Sequence, residues 1–258
     1  MPTARVIVTR PAREAARWVD DLCAAGVDAI ALPLIVIDAL DDPAPLRSAW
    51  QCLSDYDALM FVSAAAAEYF FLDTYAEAAA ALRMRFWATG SGTTRALQHA
   101  GVPASAIDAP PADAAQFDSE ALWACVRSQV RAGVRVLVVR GGDASGQAEG
   151  RDWLARQIAA AGGTCDAVAA YRRLTPIFGD VEKKLIGESM DGHSIWLFSS
   201  SQAIANLCRA VPDIDWTSAR AVATHPRIGE AARDAGFGSV RVSRPSLTSL
   251  VASIESFE

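Results

Sequence analysis

The strongest constraint on the fold of this chain is that its sequence repeats. Tyr56–Phe70 (YDALMFVSAAAAEYF) matches His193–Leu207 (HSIWLFSSSQAIANL), and Arg85–Val102 matches Ala219–Phe237. Each repeat joins a short apolar strand to an amphipathic helix. Such a unit buries its apolar face only by packing against neighbouring units. The repeat therefore predicts two related domains built from copies of one α/β unit.

Strand and helix patterns alternate along most of the chain. A strand that follows a helix in this way returns parallel to the strand before it, so the pattern predicts α/β domains with parallel sheets and helices on both faces. A tandem arrangement would divide the chain near residue 130, and the periodicity does not exclude exchange of strands between the two copies. The predicted strands are Arg5–Thr9, Ala29–Ile37, Ala58–Val62, Arg85–Ala88, Val134–Val139, Ile195–Phe198 and Ala219–Ala223.

Three further segments are predicted to lie outside these units. Pro33–Leu40 and Ala170–Phe178 are extended and are predicted to be linkers. Ala109–Ala115 is predicted to be a loop before a helix that begins near Phe117 or Asp118, with Asp118 as its N-cap.

Composition limits the class of protein. The chain has 258 residues, 52% of them hydrophobic, which is typical of a globular protein and sufficient for one large or two modest domains. We find neither an apolar run near the roughly 20 residues of a membrane span nor a signal peptide, and we expect a cytoplasmic protein. The net charge of −6 argues against nucleic acid as a partner.

The cysteines and histidines do not form a metal-binding pattern. The cysteines are odd in number and far apart in sequence, so we expect buried, reduced thiols and no metal site. They are Cys23, Cys52, Cys125, Cys165 and Cys208.

Six strands are predicted to end in Ser, Thr or Gly before a helix opens. Such corners lie together at the carboxyl edge of a parallel sheet, where backbone N–H groups and hydroxyls bind anions. The alternative is that these residues are ordinary helix N-caps. The corners are Thr9-Arg10-Pro11, Ser63-Ala64, Thr89–Thr93, Arg140-Gly141-Gly142, Ser199-Ser200-Ser201 and Thr224-His225-Pro226.

Common nucleotide-binding and hydrolase motifs find no support. Gly90-Ser91-Gly92 begins like a dinucleotide fingerprint, but Arg95 occupies the third glycine position. The patterns GxxxxGK[ST] and GxSxG do not occur.

Tyr171, in the second predicted linker, can act as a proton donor because its hydroxyl is protonated near neutral pH. The alternative role for Tyr171 is packing between domains.

The chain resembles bacterial, and specifically proteobacterial, uroporphyrinogen-III synthases. The likeness extends in order over nearly the whole chain. It includes VTRP at the start, PLI in the first linker, YDALMFVSAAAAEYF, WATGSGTTRALQHAGV, AQFDSEALW, VLVVRGGDASGQAEGRDWLA, AAYRR and WLFSSSQAI. Each motif alone is weak, and their ordered occurrence is more specific.

The resemblance implies a fold and a reaction. Residues 1–36 with 175–258 would form one α/β domain and residues 40–170 the other, with segments 33–40 and 171–178 as a two-stranded ladder between them. The family is a lyase of haem biosynthesis that needs no metal or organic cofactor. It closes hydroxymethylbilane, which carries eight carboxylates, into uroporphyrinogen III. Loss of hydroxide gives an azafulvene, and a spiro intermediate accounts for the inversion of ring D.

The resemblance also implies site residues. Tyr171 matches the functional tyrosine and would assist departure of hydroxide. Where the family has Asn and Thr, this chain has Ala64 and Ile228, and Arg227 could replace the threonine as a carboxylate ligand. The implied substrate-binding residues are Thr9, Arg10, Ser63, Thr89, Gly90, Thr93, Arg140, Gly141, Ser199, Ser200, Ser201, Thr224, His225 and Arg227.

The resemblance further implies a monomer that receives its substrate from hydroxymethylbilane synthase. Two other classes of protein remain open at this point. One is a non-catalytic two-domain module that closes on a small polyanion, and the other is a regulatory domain that has lost its activity. The replacements at Ala64 and Ile228 are the reason to keep the second class.

Overall fold

The computed structural model describes residues 4–72, 84–111, 113–114, 116–190 and 192–257. Within them the chain forms two compact units. Unit 1 contains the residues up to Val36 and those from Thr175 onward, and unit 2 contains Ile37–Leu174. Each unit has its own parallel sheet, so the predicted fold class, two α/β domains with parallel sheets, is confirmed.

Unit 1 contains a five-stranded sheet in the order β11-β10-β9-β1-β2, and every neighbouring pair is parallel. The first two strands come from the beginning of the chain and the other three from its end. The strands are β1 (Val6–Val8), β2 (Ala29–Ala31), β9 (Ile195–Phe198), β10 (Arg220–Ala223) and β11 (Ser239–Val242). The helices are α1 (Ala12–Ala24), α7 (Asp180–Glu188), α8 (Ser201–Ala210), α9 (Pro226–Asp234) and α10 (Leu247–Glu255).

The core of unit 1 lies on both faces of the neighbouring strands β1 and β9. All residues of β1 and β9 are buried, because helices cover both faces of a parallel sheet. On one face Trp196 and Phe198 pack against Trp216 and Phe237, whose rings stack with centroids 4.9 Å apart. Such aromatic contacts add about 0.5–1.5 kcal/mol each beyond the burial of their area.

Unit 2 contains a six-stranded sheet in the order β3-β8-β7-β4-β5-β6, and the strands from β8 to β6 are parallel. Its strands are β3 (Val36–Asp38), β4 (Ala58–Phe61), β5 (Arg85–Ala88), β6 (Ile107–Asp108), β7 (Arg135–Gly142) and β8 (Thr164–Leu174). Its helices are α2 (Ala44–Gln51), α3 (Ala64–Phe70), α4 (Ser91–His99), α5 (Ser119–Val126) and α6 (Trp153–Ala160). Single 3-10 turns occupy Leu53–Asp55, Ala104–Ala106 and Arg127–Gln129.

Several predicted boundaries are confirmed, and others move for local reasons. Asp118 caps α5 as predicted, because its carboxylate accepts a hydrogen bond of 2.9 Å from the Ala121 N–H. The predicted strand Ala29–Ile37 is divided into β2 and β3. Pro33, which has no N–H to donate, lies in the interruption. In the predicted loop Ala109–Ala115, residues 112 and 115 lie outside the described residues.

The corner predicted at Arg140-Gly141-Gly142 is wrong. These residues do not end a strand before a helix. They are the last three residues of β7, because Gly141 and Gly142 pair with Tyr171 and Arg172 of β8. The following helix, α6, begins only at Trp153 after a loop.

The prediction of buried cysteines is also wrong for three of the five. Cys23, Cys52 and Cys125 are exposed, because they lie at the ends or outer faces of α1, α2 and α5. Cys165 and Cys208 are partly buried, and burial raises the pKa of the Cys165 thiol to about 11. All five thiols are free.

Of the helices in the described residues, none has both the length and the apolar composition to cross a membrane.

Candidate active site

Tyr171 lies on β8 beside the carboxyl end of β7. Arg140 pairs with Ala169 but the next residue, Gly141, pairs with Tyr171, so the register shifts by one residue at this point. Ala170 is therefore the extra residue of a β-bulge, a device that changes the direction of the side chains that follow it. The bulge places the Tyr171 ring against the β7 backbone at the edge where parallel α/β sheets bind their ligands.

The ring of Tyr171 occupies the space that a side chain at position 141 would need. A Cβ added to Gly141 would lie 2.7 Å from ring atoms Cε2 and Cζ and 2.9 Å from the hydroxyl oxygen. Real Cβ atoms do not approach other atoms so closely. Glycine at position 141 is therefore required for this position of the tyrosine ring, which is 5% exposed.

The hydroxyl of Tyr171 meets the hydroxyl of Ser63 at the carboxyl end of β4. The two oxygen atoms are 3.2 Å apart, and either can donate. Ser63 is also the N-cap of α3, since its Oγ accepts a hydrogen bond of 3.1 Å from the Ala66 N–H. This cap holds the serine in a fixed position opposite the tyrosine.

A second tyrosine, Tyr69 on α3, lies beside the first. The rings of Tyr69 and Tyr171 have centroids 5.7 Å apart. Burial raises the pKa of Tyr69, and the nearby carboxylates of Asp38 and Glu68 raise it further. Its hydroxyl is therefore protonated near neutral pH. Sequence reasoning missed Tyr69, since its contact with β8 depends on how α3 packs on the sheet.

The corner after β5 lies next to Ser63. Thr89 Oγ1 donates a hydrogen bond of 3.1 Å to the carbonyl of Val62, the residue before that serine. Gly90 occupies the N-cap position of α4 and has no side chain to accept a hydrogen bond from the first turn. A Cβ at this position would lie 3.1 Å from the Phe117 ring. Thr93, in the first turn of α4, is 5% exposed.

Two basic side chains of unit 2, Arg140 and Arg172, contact other parts of the unit. Arg140, predicted to bind substrate, donates a hydrogen bond of 2.9 Å to the Arg151 carbonyl and lies 3.7 Å from the carboxylate of Asp152. Its side chain is mostly buried under this loop. Arg172 forms ion pairs with Asp38 and Asp41, which join the end of β3 and the loop after it to β8.

In unit 1, the predicted hydroxyls of Thr9 and Thr224 are buried. Thr9 is 1% exposed and its Oγ1 donates a hydrogen bond of 2.7 Å to the Leu197 carbonyl, which joins the ends of β1 and β9. Arg10 forms an ion pair of 2.9 Å with Glu14 and lies over the Trp18 ring. Burial lowers the pKa of Arg10, and the neighbouring Glu14 opposes this shift.

The remaining unit 1 candidates lie at the first turns of α8 and α9. Ser200 caps α8 through a hydrogen bond of 3.2 Å from the Gln202 N–H. His225 caps α9, since its Nδ1 accepts a hydrogen bond of 3.1 Å from the Arg227 N–H. Arg227 itself is exposed. Ser199 and Ser201 flank Ser200, half-buried and exposed respectively.

The structure thus brings together one part of the predicted set within unit 2. Ser63, Thr89, Gly141 and Tyr171 form a contact group at one edge of the unit 2 sheet. Thr9, Thr224 and the α8 and α9 corners lie in unit 1, and Arg140 lies under a loop. In the described part of the chain, no three His, Cys, Asp or Glu side chains are grouped so as to hold a metal ion. The two hydroxyls of Ser63 and Tyr171 are close enough to transfer a proton between them.

Comparison with known proteins gives the family. The family model described as uroporphyrinogen-III synthase HemD matches residues 16–252. Two solved structures share the fold at low sequence identity. The uroporphyrinogen-III synthetase of Helicobacter pylori matches with a TM-score of 0.60 at 15% identity, covering 99% of this chain and 100% of that one. A mutant uroporphyrinogen III synthase of the extremely thermophilic bacterium Thermus thermophilus matches with a TM-score of 0.58 at 15% identity, covering 98% of each chain.

Proposed function

The chain belongs to the uroporphyrinogen-III synthase family, and from this premise we propose that it closes hydroxymethylbilane into uroporphyrinogen III with inversion of ring D. The match of the family model to residues 16–252 carries the proposal. The reaction is that of a lyase in haem and tetrapyrrole biosynthesis.

Tyr171 is the proposed acid of this reaction. The reaction begins when the terminal hydroxyl of the bilane leaves, and hydroxide leaves readily only when it receives a proton. The hydroxyl of Tyr171 is held at 3.2 Å from that of Ser63 at the carboxyl edge of the unit 2 sheet. Its ring is fixed on the backbone of Gly141, which provides the orientation that a proton donor needs.

The carboxylates of the substrate are proposed to bind at helix N-termini and exposed donors. Gly90 leaves the first N–H groups of α4 without a side-chain cap, and the positive end of the helix dipole favours anions there. In unit 1 the corners at Ser199–Ser201 and at His225–Arg227 offer hydroxyl, backbone and guanidinium donors. Arg227 provides the charge at the turn where Ile228, only 9% exposed, is apolar.

Other features are proposed from the family rather than from contacts in the chain. We expect no metal or organic cofactor, because the pyrrole supplies its own nucleophilic carbon. We also propose a cytoplasmic monomer that receives its substrate from hydroxymethylbilane synthase.

An isomer assay tests the proposed function. The purified protein is incubated with freshly made hydroxymethylbilane, and the two uroporphyrinogen isomers are separated after oxidation. We expect isomer III to accumulate, and we expect Tyr171→Phe to lower its rate of formation by about 100-fold or more, which is typical for loss of an acid catalyst.

The spontaneous reaction gives isomer I and serves as the control. Accumulation of isomer I alone would show that the protein does not catalyse this reaction and would favour a module that only binds polyanions. Equal rates for the parent and a folded Tyr171→Phe variant would remove the proposed role of Tyr171.

A further inference from the structure

The hydroxyl of Ser63 has two contacts in the structure, and together they determine where its proton can point. A serine hydroxyl accepts two hydrogen bonds and donates one. One acceptor position is taken by the Ala66 N–H at 3.1 Å, and the Tyr171 hydroxyl lies within hydrogen-bond distance at 3.2 Å. When the tyrosine donates to the serine, both acceptor positions of Ser63 are filled, and the proton of Ser63 is directed to a third group.

The exposure of the two residues determines which hydroxyl can reach a ligand. Tyr171 is 5% exposed and is part of the apolar cluster formed by β4, β7, β8 and α3. Ser63 is half-buried, at the corner where β4 ends and α3 begins. A large substrate therefore meets the serine more readily than the tyrosine.

We propose that Ser63 is a catalytic residue that relays a proton from Tyr171 to the departing hydroxyl of the substrate. The inference rests on the proposed function and deepens it. It changes the role of Ser63 from a substrate-binding residue to a proton carrier, and it explains how a tyrosine that is nearly covered serves as an acid.

The departing hydroxyl leaves as water after two proton transfers. The carbon–oxygen bond of the hydroxymethyl group breaks, and its electron pair leaves with the oxygen, which takes the proton of Ser63 and departs as water. Ser63 takes the proton of Tyr171, which becomes a phenolate. The pyrrole nitrogen supplies electrons to form an azafulvenium cation, which loses its N–H proton to solvent water to give the azafulvene. The phenolate regains a proton from solvent.

The two contacts of Ser63 favour this direction of transfer. The Ala66 N–H donates to Ser63 and cannot accept from it, so it stabilises negative charge on the serine oxygen as the proton leaves. The ring of Tyr171 is held on Gly141, so the tyrosine oxygen remains opposite the serine throughout the transfer.

Three substitutions distinguish the role of Ser63 as a proton relay from its role as a helix N-cap. Ser63→Gly removes the hydroxyl, and glycine is nearly as good an N-cap as serine, so α3 is preserved. Ser63→Thr keeps both the hydroxyl and the cap. Ser246→Gly makes the same change at the serine that caps α10, and it controls for loss of a cap.

We expect Ser63→Gly to lower kcat for isomer III by about 100-fold with little change in KM, because a step in acid catalysis is lost. We expect Ser63→Thr to restore kcat to within about 10-fold of the parent and Ser246→Gly to leave it unchanged. The double variant Ser63→Gly with Tyr171→Phe should be no slower than the slower single variant, because both belong to one proton path.

A spectroscopic measurement tests the pair without turnover. In protein labelled with 3-fluorotyrosine, the fluorine signal that disappears in Tyr171→Phe belongs to Tyr171. We expect this signal to shift in Ser63→Gly, to return towards its original position in Ser63→Thr, and to stay in place in Ser246→Gly.

The outcomes distinguish the relay from the proposed function. A parent that forms only isomer I overturns both. Three results with a parent that forms isomer III would overturn the relay and leave the proposed function intact. They are an unchanged kcat in Ser63→Gly, a rise in KM alone in Ser63→Gly, and an effect of Ser63→Gly that adds to that of Tyr171→Phe. A Tyr171 fluorine signal that does not move in Ser63→Gly also overturns the relay.

Discussion

At the scale of single residues, the site depends on a glycine whose role is steric. The Tyr171 ring lies where a Cβ of residue 141 would be, at 2.7 Å from two of its atoms. The β-bulge at Ala170 and the missing side chain at Gly141 together hold the tyrosine in one position. The sequence predicted both residues as site members, but their contact depends on the register between β7 and β8.

Gly141→Ala should displace the ring of Tyr171. We expect the rate of isomer III formation to fall to about that of Tyr171→Phe. The free energy of unfolding should drop by about 1–3 kcal/mol, because the added methyl group overpacks the site. Activity assays and urea unfolding measure the two effects.

Gly187→Ala is the matched control for this substitution. A Cβ at Gly187 meets no atom within 4 Å, and the residue lies inside α7. Alanine there should raise stability by about 0.5–1 kcal/mol and leave activity unchanged. Full activity of Gly141→Ala would show that the tyrosine ring can occupy another productive position.

Most of the predicted polar ligands turned out to have local structural partners. Thr9 and Thr89 donate to the carbonyls of neighbouring strands, and Ser63, Ser200 and His225 cap helices. Sequence reasoning held both roles open, since a hydroxyl at a strand end suits a cap as well as an anion. Only atomic distances assign these partners.

At the scale of elements, α8 contacts both the segment by which the chain leaves unit 1 and the segment by which it returns. Asn206 of α8 is 2% exposed. Its Nδ2 donates a hydrogen bond of 2.8 Å to the Leu34 carbonyl, and its Oδ1 accepts one of 3.3 Å from Thr175 Oγ1. Residues 34 and 175 are far apart in sequence, and one buried amide joins them.

Asn206→Leu should destabilise the protein without a large change in volume. The substitution leaves the buried Leu34 carbonyl without its donor, which costs about 1–3 kcal/mol. We expect the urea midpoint to fall with an unchanged slope.

Arg209→Ala is the control. Arg209 contacts the same Oδ1 at 3.3 Å from an exposed position, and its loss should cost less than about 1 kcal/mol. Equal midpoints for Asn206→Leu and the parent would contradict this role of Asn206.

The element boundaries show where local patterns fail. β7 extends three residues beyond its predicted end, and β8 runs to Leu174 through the first part of a predicted linker. The sequence signals at these places, two glycines and a pair of arginines, are typical of loops. Pairing between the strands overrides them, because Gly141 and Gly142 continue the parallel ladder with Tyr171 and Arg172 of β8.

At the scale of the whole molecule, unit 1 is assembled from both ends of the chain. β1 pairs with β2 on one side and with β9 on the other, at the same three residues. The five-stranded sheet therefore forms only when residues before Val36 and after Thr175 come together. Such long-range pairing costs loop-closure entropy and slows folding.

A single cut between the two parts of unit 1 should leave the fragments together. Ile177 is 99% exposed in the irregular segment between β8 and α7, so thermolysin, which cleaves before large apolar residues, should cut there early. We expect two bands on a denaturing gel but one peak of unchanged volume on size exclusion, because β1 remains paired with β9. Uncut protein gives the reference volume. Separate elution of the two fragments, or a first cut near residue 130, would contradict this expectation.

The sequence by itself determined the class of fold, the repeat and the family. Apolar periodicity reports which segments are strands and helices, and the ordered motifs resemble one family. Tertiary structure decided which predicted residues meet. Tyr171 contacts Ser63, 108 positions earlier, and lies on Gly141 because a bulge sets the register of two strands. Register and packing are properties of the folded chain, since they arise from the competition among all segments for burial, and no local pattern specifies them.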